Sequence, residues 1–292
     1  MEYHFSDRIS NVRPSAIREI LKYAASHPEV IALSTGSPAN EAVPVEEISE
    51  ISARIFKEKP LAGLQYSMTE GYPPLRASTK ERLKKEFGIG RDFDDLIITT
   101  GGQQGLSLTP NVFCNPGDTV IVELPTFVSG INAMRIHGAN VVGVEMDEEG
   151  MELAGLERAF QTEPNVKLLY VIPTFQNPSG KTMSLARRKA IYALCVKYGV
   201  MILEDNPYGE LRFRGEDIPT FKSMDDEGIV IYNGSYSKVL SAGMRIGFVM
   251  AQKDVLQRLT VAKQFSDCHS NIFFQIVTDE WLRTADVDAH IA

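Results

Sequence analysis

Residues 231–247 read Ile231-Tyr-Asn-Gly-Ser-Tyr-Ser-Lys-Val-Leu-Ser-Ala-Gly-Met-Arg-Ile-Gly247 and combine a strand with a polar turn. Ser235 and Ser237 precede Lys238 in this turn, and Arg245 lies between two glycines. Hydroxyl groups donate hydrogen bonds, and a guanidinium binds phosphate oxygens two at a time, so the pattern predicts a phosphate site. An amine beside a second cation is shifted toward its neutral, nucleophilic form, which Schiff-base chemistry requires.

Composition limits the class of protein. The chain has 292 residues, a formal net charge of −8, three cysteines and five histidines. The net charge argues against nucleic acid as a general partner, and no apolar run approaches the length of a membrane span. The histidines show no ligand spacing, so we predict no metal. The few, scattered cysteines and a start without the apolar core of a signal peptide lead us to expect a cytoplasmic protein.

From residue 96 onward, short apolar runs alternate with helical patterns, which is typical of an α/β fold. Strands are predicted at 96–100, 119–124, 141–144, 166–172, 200–204, 229–232 and 248–251. Helices are predicted at 14–26, 45–59, 73–87, 103–113, 127–137, 153–161, 185–197, 254–265 and from 270 to 281. Several strands are apolar on both faces, as parallel strands covered by helices on each side are. Ligands of such sheets bind beyond the carboxyl ends of the strands, where we therefore expect the site.

Three predicted strand ends have features of a binding site. Residues 101–105 form a glycine turn that opens a helix; its free amides suit a phosphate, although a plain strand-to-helix turn is the alternative. Phe127 follows the next strand, where a core position is the alternative to a ligand contact. Asp205 ends a buried strand, and a carboxylate there is costly unless it meets a partner charge. A helix cap is the alternative for this residue.

The order Ser-x-Ser-Lys-x-x-x-x-Gly-x-Arg-x-Gly in residues 235–247 resembles the pattern of fold-type-I aminotransferases, which carry pyridoxal 5′-phosphate (PLP) on a lysine. The resemblance runs from about Ser6 to the end, within the branch of aminoadipate and kynurenine aminotransferases. It implies an α/β large domain with a mainly parallel seven-stranded sheet sandwiched by helices. It also implies PLP as the cofactor and Lys238 as the residue that carries it and then acts as a general base.

The resemblance also implies how the cofactor is bound at its phosphate end. Ser235, Ser237 and Arg245 would contact the phosphate. Gly102 and Gln103, at the matching positions of the glycine turn, would complete the phosphate site.

Four further residues are implied to surround the cofactor ring. Asp205 would keep the ring nitrogen protonated, so that the ring can withdraw electrons. Asn177, in the sequence Asn-Pro-x-Gly, and Tyr208 would both bond the phenolic oxygen of the cofactor. Phe127 would lie flat against the ring. Lys238, Asp205 and Tyr208 are thus the predicted catalytic residues.

Contacts to the substrate and to a second subunit are implied as well. Gly36 would present its backbone to the substrate carboxylate, although a plain turn is an equal alternative. Asn177 would also contact the substrate. Arg18 or Arg13 would face an anionic substrate. The alternative for both is a solvated helix face. Tyr66 would reach the cofactor phosphate of a partner subunit, which implies a homodimer with shared active sites.

Domain boundaries follow from the same resemblance. Residues 1–45 are expected to form an N-terminal arm and part of a small domain, and residues 46–292 the large PLP-binding domain. Members of the family continue into a C-terminal small domain, whose arginine binds the substrate α-carboxylate. Because no such domain follows residue 292 here, we expect a chain that binds PLP but catalyses poorly.

The predicted activity is transfer of an amino group from an amino acid to a 2-oxo acid, with 2-oxoglutarate the expected acceptor. One alternative is a PLP-dependent lyase of the same fold, which needs the same cofactor site. A second alternative is a PLP-sensing regulatory domain. Ping-pong transfer of amino groups to 2-oxoglutarate would distinguish the aminotransferase from the lyase, and the acidic net charge argues against the regulatory domain.

Overall fold

The computed structural model describes residues 2–10, 12, 16–31 and 36–292, and the side chains of residues 16–18 lie outside this description. The strands are β1 (Asp94–Thr99), β2 (Thr119–Leu124), β3 (Asn140–Asp147), β4 (Gly150–Met151), β5 (Val166–Val171), β6 (Met201–Asp205), β7 (Val230–Ser235) and β8 (Gly247–Gln252). The helices are α1 (Asp7–Ser10), α2 (Ala16–Ser26), α3 (Val45–Glu58), α4 (Pro73–Phe87), α5 (Gly102–Phe113), α6 (Val128–Arg135), α7 (Leu153–Thr162), α8 (Leu185–Tyr198), α9 (Lys253–Gln264), α10 (Ile272–Thr284) and α11 (Val287–Ile291).

The strands form one sheet in the order β1-β8-β7-β6-β5-β2-β3-β4. Neighbours from β7 through β3 pair in parallel, whereas β8 is antiparallel to both β7 and β1. Strand β1 therefore points the same way as the parallel strands. The carboxyl ends of β1, β2, β5, β6 and β7 consequently share one edge of the sheet with the start of β8.

The predicted α/β architecture is confirmed, and each of the seven predicted strands is present. An eighth strand, β4, was not predicted; it pairs antiparallel with β3, with Asp147 opposite Gly150. Two residues are too few to show an alternating pattern, so no sequence signal marks this strand. The predicted helices agree with the observed ones to within three residues at each described end.

Helices cover the sheet on both faces, as the side chains of β5 show. Leu168 and Tyr170 point into one apolar cluster, which packs under α5, α6 and α9. Leu169 and Val171 alternate with them and point into the opposite cluster, under α7 and α8. All four side chains are fully buried, and burial of each contributes roughly 1.5–3 kcal/mol. This continuous burial fixes the register of the central strands and hence the position of their carboxyl ends.

Helices α3, α4 and α10 cover the part of the sheet formed by β1, β8 and β7. Leu75 of α4 and Trp281 of α10 are fully buried there, beside Ile98 and Met250 of the sheet. Among the described residues, no helix has both the length and the apolar character needed to cross a membrane.

Candidate active site

Ten of the predicted site residues lie at the shared carboxyl edge of the sheet. Each lies at the end of a strand or in the segment that adjoins that end. They are Gly102 and Gln103 after β1, Phe127 after β2, Asn177 after β5, Asp205 and Tyr208 at the end of β6, Ser235, Ser237 and Lys238 at the end of β7, and Arg245 before β8.

The amine of Lys238 lies inside this group. Its Nζ donates a hydrogen bond of 2.7 Å to the carbonyl oxygen of Gly36, and it lies 5.9 Å from the centre of the Tyr208 ring. Burial lowers the pKa of Lys238, and the positive charge of Arg245 lowers it further. The neutral form of the amine, which is the form that attacks a carbonyl carbon, is therefore more populated than in water.

Tyr208 and Asn177 form a pair next to this amine. The Nδ2 of Asn177 donates a hydrogen bond of 3.2 Å to the Tyr208 hydroxyl. Burial raises the pKa of Tyr208, so the hydroxyl stays protonated at neutral pH. It is therefore able to donate a hydrogen bond to an oxygen of a ligand.

Glu123 fixes the loop that carries Asn177, a role that the sequence did not reveal. Its Oε2 accepts hydrogen bonds from the Ile172 amide, at 3.0 Å, and from the Nε2 of Gln176, at 3.2 Å. Gln176 Nε2 also donates to the carbonyl oxygen of Pro125, at 2.8 Å. Burial raises the pKa of Glu123 to about 8. The available signals were a lone acidic residue in an otherwise apolar strand and a glutamine directly before Asn177.

Asp205 is a buried carboxylate, 5% exposed, that lacks a cationic partner among the described residues. Its Oδ1 accepts from Nδ2 of Asn233 at 2.8 Å, and its Oδ2 accepts from the Tyr170 hydroxyl at 3.1 Å. Burial nevertheless raises the pKa of Asp205 to about 6. A positively charged ligand atom at this position would restore the ionised form, because an opposite charge favours it.

The polar turn of residues 235–247 gathers the donors of the predicted phosphate site. Ser235 Oγ donates to Ser237 Oγ at 2.8 Å, and Nη1 of Arg245 is 3.4 Å from the same Ser237 oxygen. Within the described part of the chain, Arg245 makes no ion pair with a carboxylate. The arrangement thus presents hydroxyl donors and a free positive charge, which suits a phosphate monoester.

The glycine turn before α5 packs against this guanidinium. Gly101 has φ +69°, and a Cβ built on it would lie only 2.3 Å from Nη2 of Arg245. The positive φ favours glycine at this position, and a Cβ would also force the end of the Arg245 side chain to move. The first amides of α5, those of Gly102 and Gln103, follow directly and have no side-chain cap, so they are available to an anion. The Gln103 side chain itself points away, to the Ser129 carbonyl at 3.3 Å.

Phe127 lies directly before α6, half-buried against the core. Two residues into α6, Gly130 lets the helix approach closely: a Cβ there would be 2.8 Å from the Tyr170 hydroxyl, the group that bonds Asp205. The start of α6 therefore lies against the residues that support Asp205. Arg18 belongs to α2 but its side chain lies outside the described residues, as does the whole of Arg13.

Tyr66 is not part of the group around Lys238. Its side chain is 83% exposed, and its ring contacts the edge of His269 with the centroids 5.9 Å apart. The structure thus leaves the Tyr66 hydroxyl at the surface of the chain.

The residues at the sheet edge fit PLP by their chemistry. Among the described residues, the Asp205 carboxylate has no cationic partner, and a protonated ring nitrogen would provide one. The Arg245 guanidinium has no carboxylate partner in the same part of the chain, and a phosphate would provide its anion, while Lys238 supplies an amine with a lowered pKa. An α/β sheet with this donor set at its carboxyl edge defines a PLP-dependent enzyme of fold type I.

Comparison with known proteins identifies the family of the chain. Residues 28–288 match the family model described as aminotransferase class I and II, so the chain belongs to that family. It is 39% identical to aromatic-amino-acid aminotransferase 1 of Thermococcus litoralis, over 99% of this chain and 70% of that protein.

Two solved structures show the same fold with similar sequences. One is kynurenine aminotransferase of Pyrococcus horikoshii, with TM-score 0.92 and 37% identity over 98% of this chain and 72% of that one. The other is LysN, the α-aminoadipate aminotransferase of Thermus thermophilus, solved with N-(5′-phosphopyridoxyl)-L-leucine. Its TM-score is 0.86 and its identity 37%, over 96% of this chain and 69% of that one. These findings confirm the predicted family, PLP as the cofactor, and transfer of amino groups between amino acids and 2-oxo acids.

Proposed function

We propose that Lys238 carries PLP and is the general base of the amino-group transfer. One observation supports this most directly: an amine with a lowered pKa shares the sheet edge with a buried carboxylate and a guanidinium, neither of which has a partner of opposite charge within the described ranges. The buried Asp205 carboxylate is costly as it stands. Each of the three groups matches one part of the cofactor.

The roles of the surrounding residues follow from their chemistry. PLP, when bound, supplies an electron-withdrawing ring next to the substrate Cα. Asp205 keeps a proton on the ring nitrogen, while Ser235, Ser237 and Arg245 bind the phosphate together with the amides of Gly102 and Gln103. Lys238 Nζ would take up the proton that the substrate Cα loses and would then give a proton back, which leaves the amine neutral again. Tyr208 and Asn177 donate hydrogen bonds to the ring oxygen, and Phe127 covers one face of the ring.

For the acceptor we propose 2-oxoglutarate. Several relatives are named for aminoadipate, an amino acid with a second carboxylate, and 2-oxoglutarate has the same dicarboxylate chemistry. Gly36 is proposed to lie beside the substrate, because its carbonyl already contacts the Lys238 amine at 2.7 Å. Arg18 stays a candidate for contact with a substrate carboxylate.

A homodimer that shares its active sites is also part of the proposal. The Tyr66 side chain is 83% exposed and is flanked by the exposed side chains of Leu64 and Met68, at 68% and 56%. These apolar groups favour a covered surface, and the Tyr66 hydroxyl would then be free to reach a partner's phosphate. We also propose that residues 1–45 form an N-terminal arm and part of a small domain, and that residues 46–292 form the large PLP-binding domain. Three unpaired cysteines are consistent with the cytoplasm.

Transamination of an aromatic amino acid or of aminoadipate with 2-oxoglutarate tests the proposal. Lys238→Ala should abolish turnover, because the proton at Cα loses its base. Lys181→Ala is the matched control, since Lys181 lies in the Asn177 loop but bonds Asp147 and Glu148. Turnover in the Lys238 variant close to that of the control would contradict the assignment.

A further inference from the structure

Lys263 of α9 is fully buried, which is unusual for a lysine. Its Nζ donates to both carboxylate oxygens of Asp267, at 2.7 and 2.9 Å, to Oε1 of Gln104, at 2.9 Å, and to Oγ of Ser270, at 3.0 Å. Burial of an ammonium is costly unless its protons find acceptors, and here three residues supply them. The Lys263 amine therefore joins two separate segments, the start of α5 and the loop between α9 and α10.

Thr100 connects the same network to the glycine turn. Its amide donates to Oε1 of Gln104, at 2.8 Å, so that this one oxygen accepts from both Thr100 and Lys263. Its hydroxyl donates to Oδ2 of Asp267, at 2.7 Å, and lies 2.9 Å from Oγ of Ser270. The amide and the hydroxyl of Thr100 thus bond the same residues that the Lys263 amine bonds.

The position of Thr100 sets the position of the phosphate donors. Gly101 follows it and packs against Arg245, and the free amides of Gly102 and Gln103 come next. The turn has its own bonds, from the Gly101 amide to the Thr99 carbonyl at 2.9 Å and from the Thr99 hydroxyl to the Gly101 carbonyl at 3.0 Å. These bonds shape the turn, whereas the bonds of Thr100 attach it to the rest of the protein.

We propose that Lys263 is a positioning residue for the cofactor phosphate, acting through Gln104, Asp267 and Thr100 on the amides at the start of α5. The inference rests on the proposed role of the glycine turn. Removing the Lys263 amine leaves Asp267 without its cation and Gln104 with one donor fewer. The turn then loses the fixed geometry on which bonds to a phosphate depend.

The test compares two ligands that differ only in the phosphate. PLP and pyridoxal, which has the same ring and aldehyde but a hydroxyl instead of the phosphate, are titrated into cofactor-free Lys263→Met protein. We expect the Kd for PLP to rise about tenfold, the lower end of what loss of a supporting partner costs at metal sites, and the Kd for pyridoxal to stay the same. The ratio of the two Kd values isolates the phosphate contribution from a general loss of stability.

Lys222→Met is the matched control. Lys222 is also fully buried and pairs with two carboxylates, those of Asp94 and Asp225. It belongs to the segment before β7, and its Nζ donates hydrogen bonds to Asp225 and to the Val230 carbonyl. This variant should lose stability while the ratio of the PLP and pyridoxal Kd values stays at the wild-type value. Should Lys263→Met fail to fold, Thr100→Val removes the hydroxyl bonds alone, and we expect it to raise the Kd for PLP in the same way but less.

The possible outcomes separate the inference from the function on which it rests. Equal weakening of both ligands, or unchanged PLP affinity in the Lys263 and Thr100 variants, overturns the positioning role. A wild-type protein that does not prefer PLP to pyridoxal would instead contradict the proposed phosphate site.

Discussion

Replacing Asp205 with asparagine is expected to stabilise the cofactor-free protein at pH 8 and to weaken its affinity for PLP. Burial raises the pKa of Asp205 to about 6, even though Asn233 and Tyr170 both donate to it. The ordinary pKa of an aspartate is about 3.9, so the difference is about two units, or ~3 kcal/mol. This is the free energy by which the ionised side chain disfavours the folded, cofactor-free state.

The pH dependence has a definite sign. Between pH ~4 and pH ~6 the folded protein keeps a proton on Asp205 that the unfolded chain has already lost. The free energy of unfolding therefore falls as the pH rises through this window and stays lower above it. Asparagine does not titrate, so this contribution disappears in the variant. The asparagine amide keeps one oxygen acceptor but loses one hydrogen bond, which costs about 1 kcal/mol. We therefore expect the free energy of unfolding at pH 8 to rise by about 2 kcal/mol.

Urea unfolding of both cofactor-free proteins at pH 3.5 and pH 8 measures this gain. The variant should be more stable than wild type at pH 8 and should lose that advantage at pH 3.5, where Asp205 of wild type is protonated in the folded state. With PLP added, the order should reverse, because only the aspartate offers a charge to the ring nitrogen, and the half-reaction with an amino acid should slow severely. A variant that is equally destabilised at both pH values, with unchanged PLP affinity and half-reaction rate, would refute the reasoning.

Substitutions at three further positions test other parts of the site. Arg245→Ala should weaken PLP affinity far more than pyridoxal affinity, because it removes a guanidinium from the phosphate site; equal losses in paired titrations would argue against that contact. Gly101→Ala should destabilise the protein by at least ~1 kcal/mol in urea unfolding, since its φ of +69° disfavours a side chain and a Cβ would meet Arg245. Glu123→Ala should lower kcat more than PLP affinity, because it frees the Asn177 loop. Glu123→Gln keeps an acceptor for the Ile172 amide and should therefore restore part of the rate. A loss of rate that Glu123→Gln does not restore would show that the carboxylate only stabilises the fold.

The sequence predicts much of this molecule because the relevant signals are local. A buried parallel strand reads as an apolar run, and the residue at its carboxyl end is at the ligand edge whatever the rest of the chain does. Asp205 and Lys238 could be predicted to lie at this edge for that reason. The proposed phosphate donors stood out because they are close together in the chain, in residues 235–247.

The supporting residues escaped prediction because their partners are distant in the chain. Lys263 and Gln104 are 159 positions apart, and Glu123 and Gln176 are 53 apart. Nothing in the neighbourhood of Lys263 distinguishes it from a surface lysine, since its burial depends on how the loop after α9 packs on the glycine turn. The partners of Asp205 pose the same difficulty: Tyr170 lies one strand away and reads as an ordinary core aromatic.

The central claim, that PLP is carried by Lys238, is tested most directly by fixing the cofactor chemically. The wild-type protein is incubated with PLP, reduced with borohydride, digested, and its peptides are analysed by mass spectrometry. The account predicts one modified lysine, Lys238, and no modification of that peptide when the same procedure is applied to Lys238→Ala. Modification of a different lysine in the wild-type protein, or of none, would contradict it.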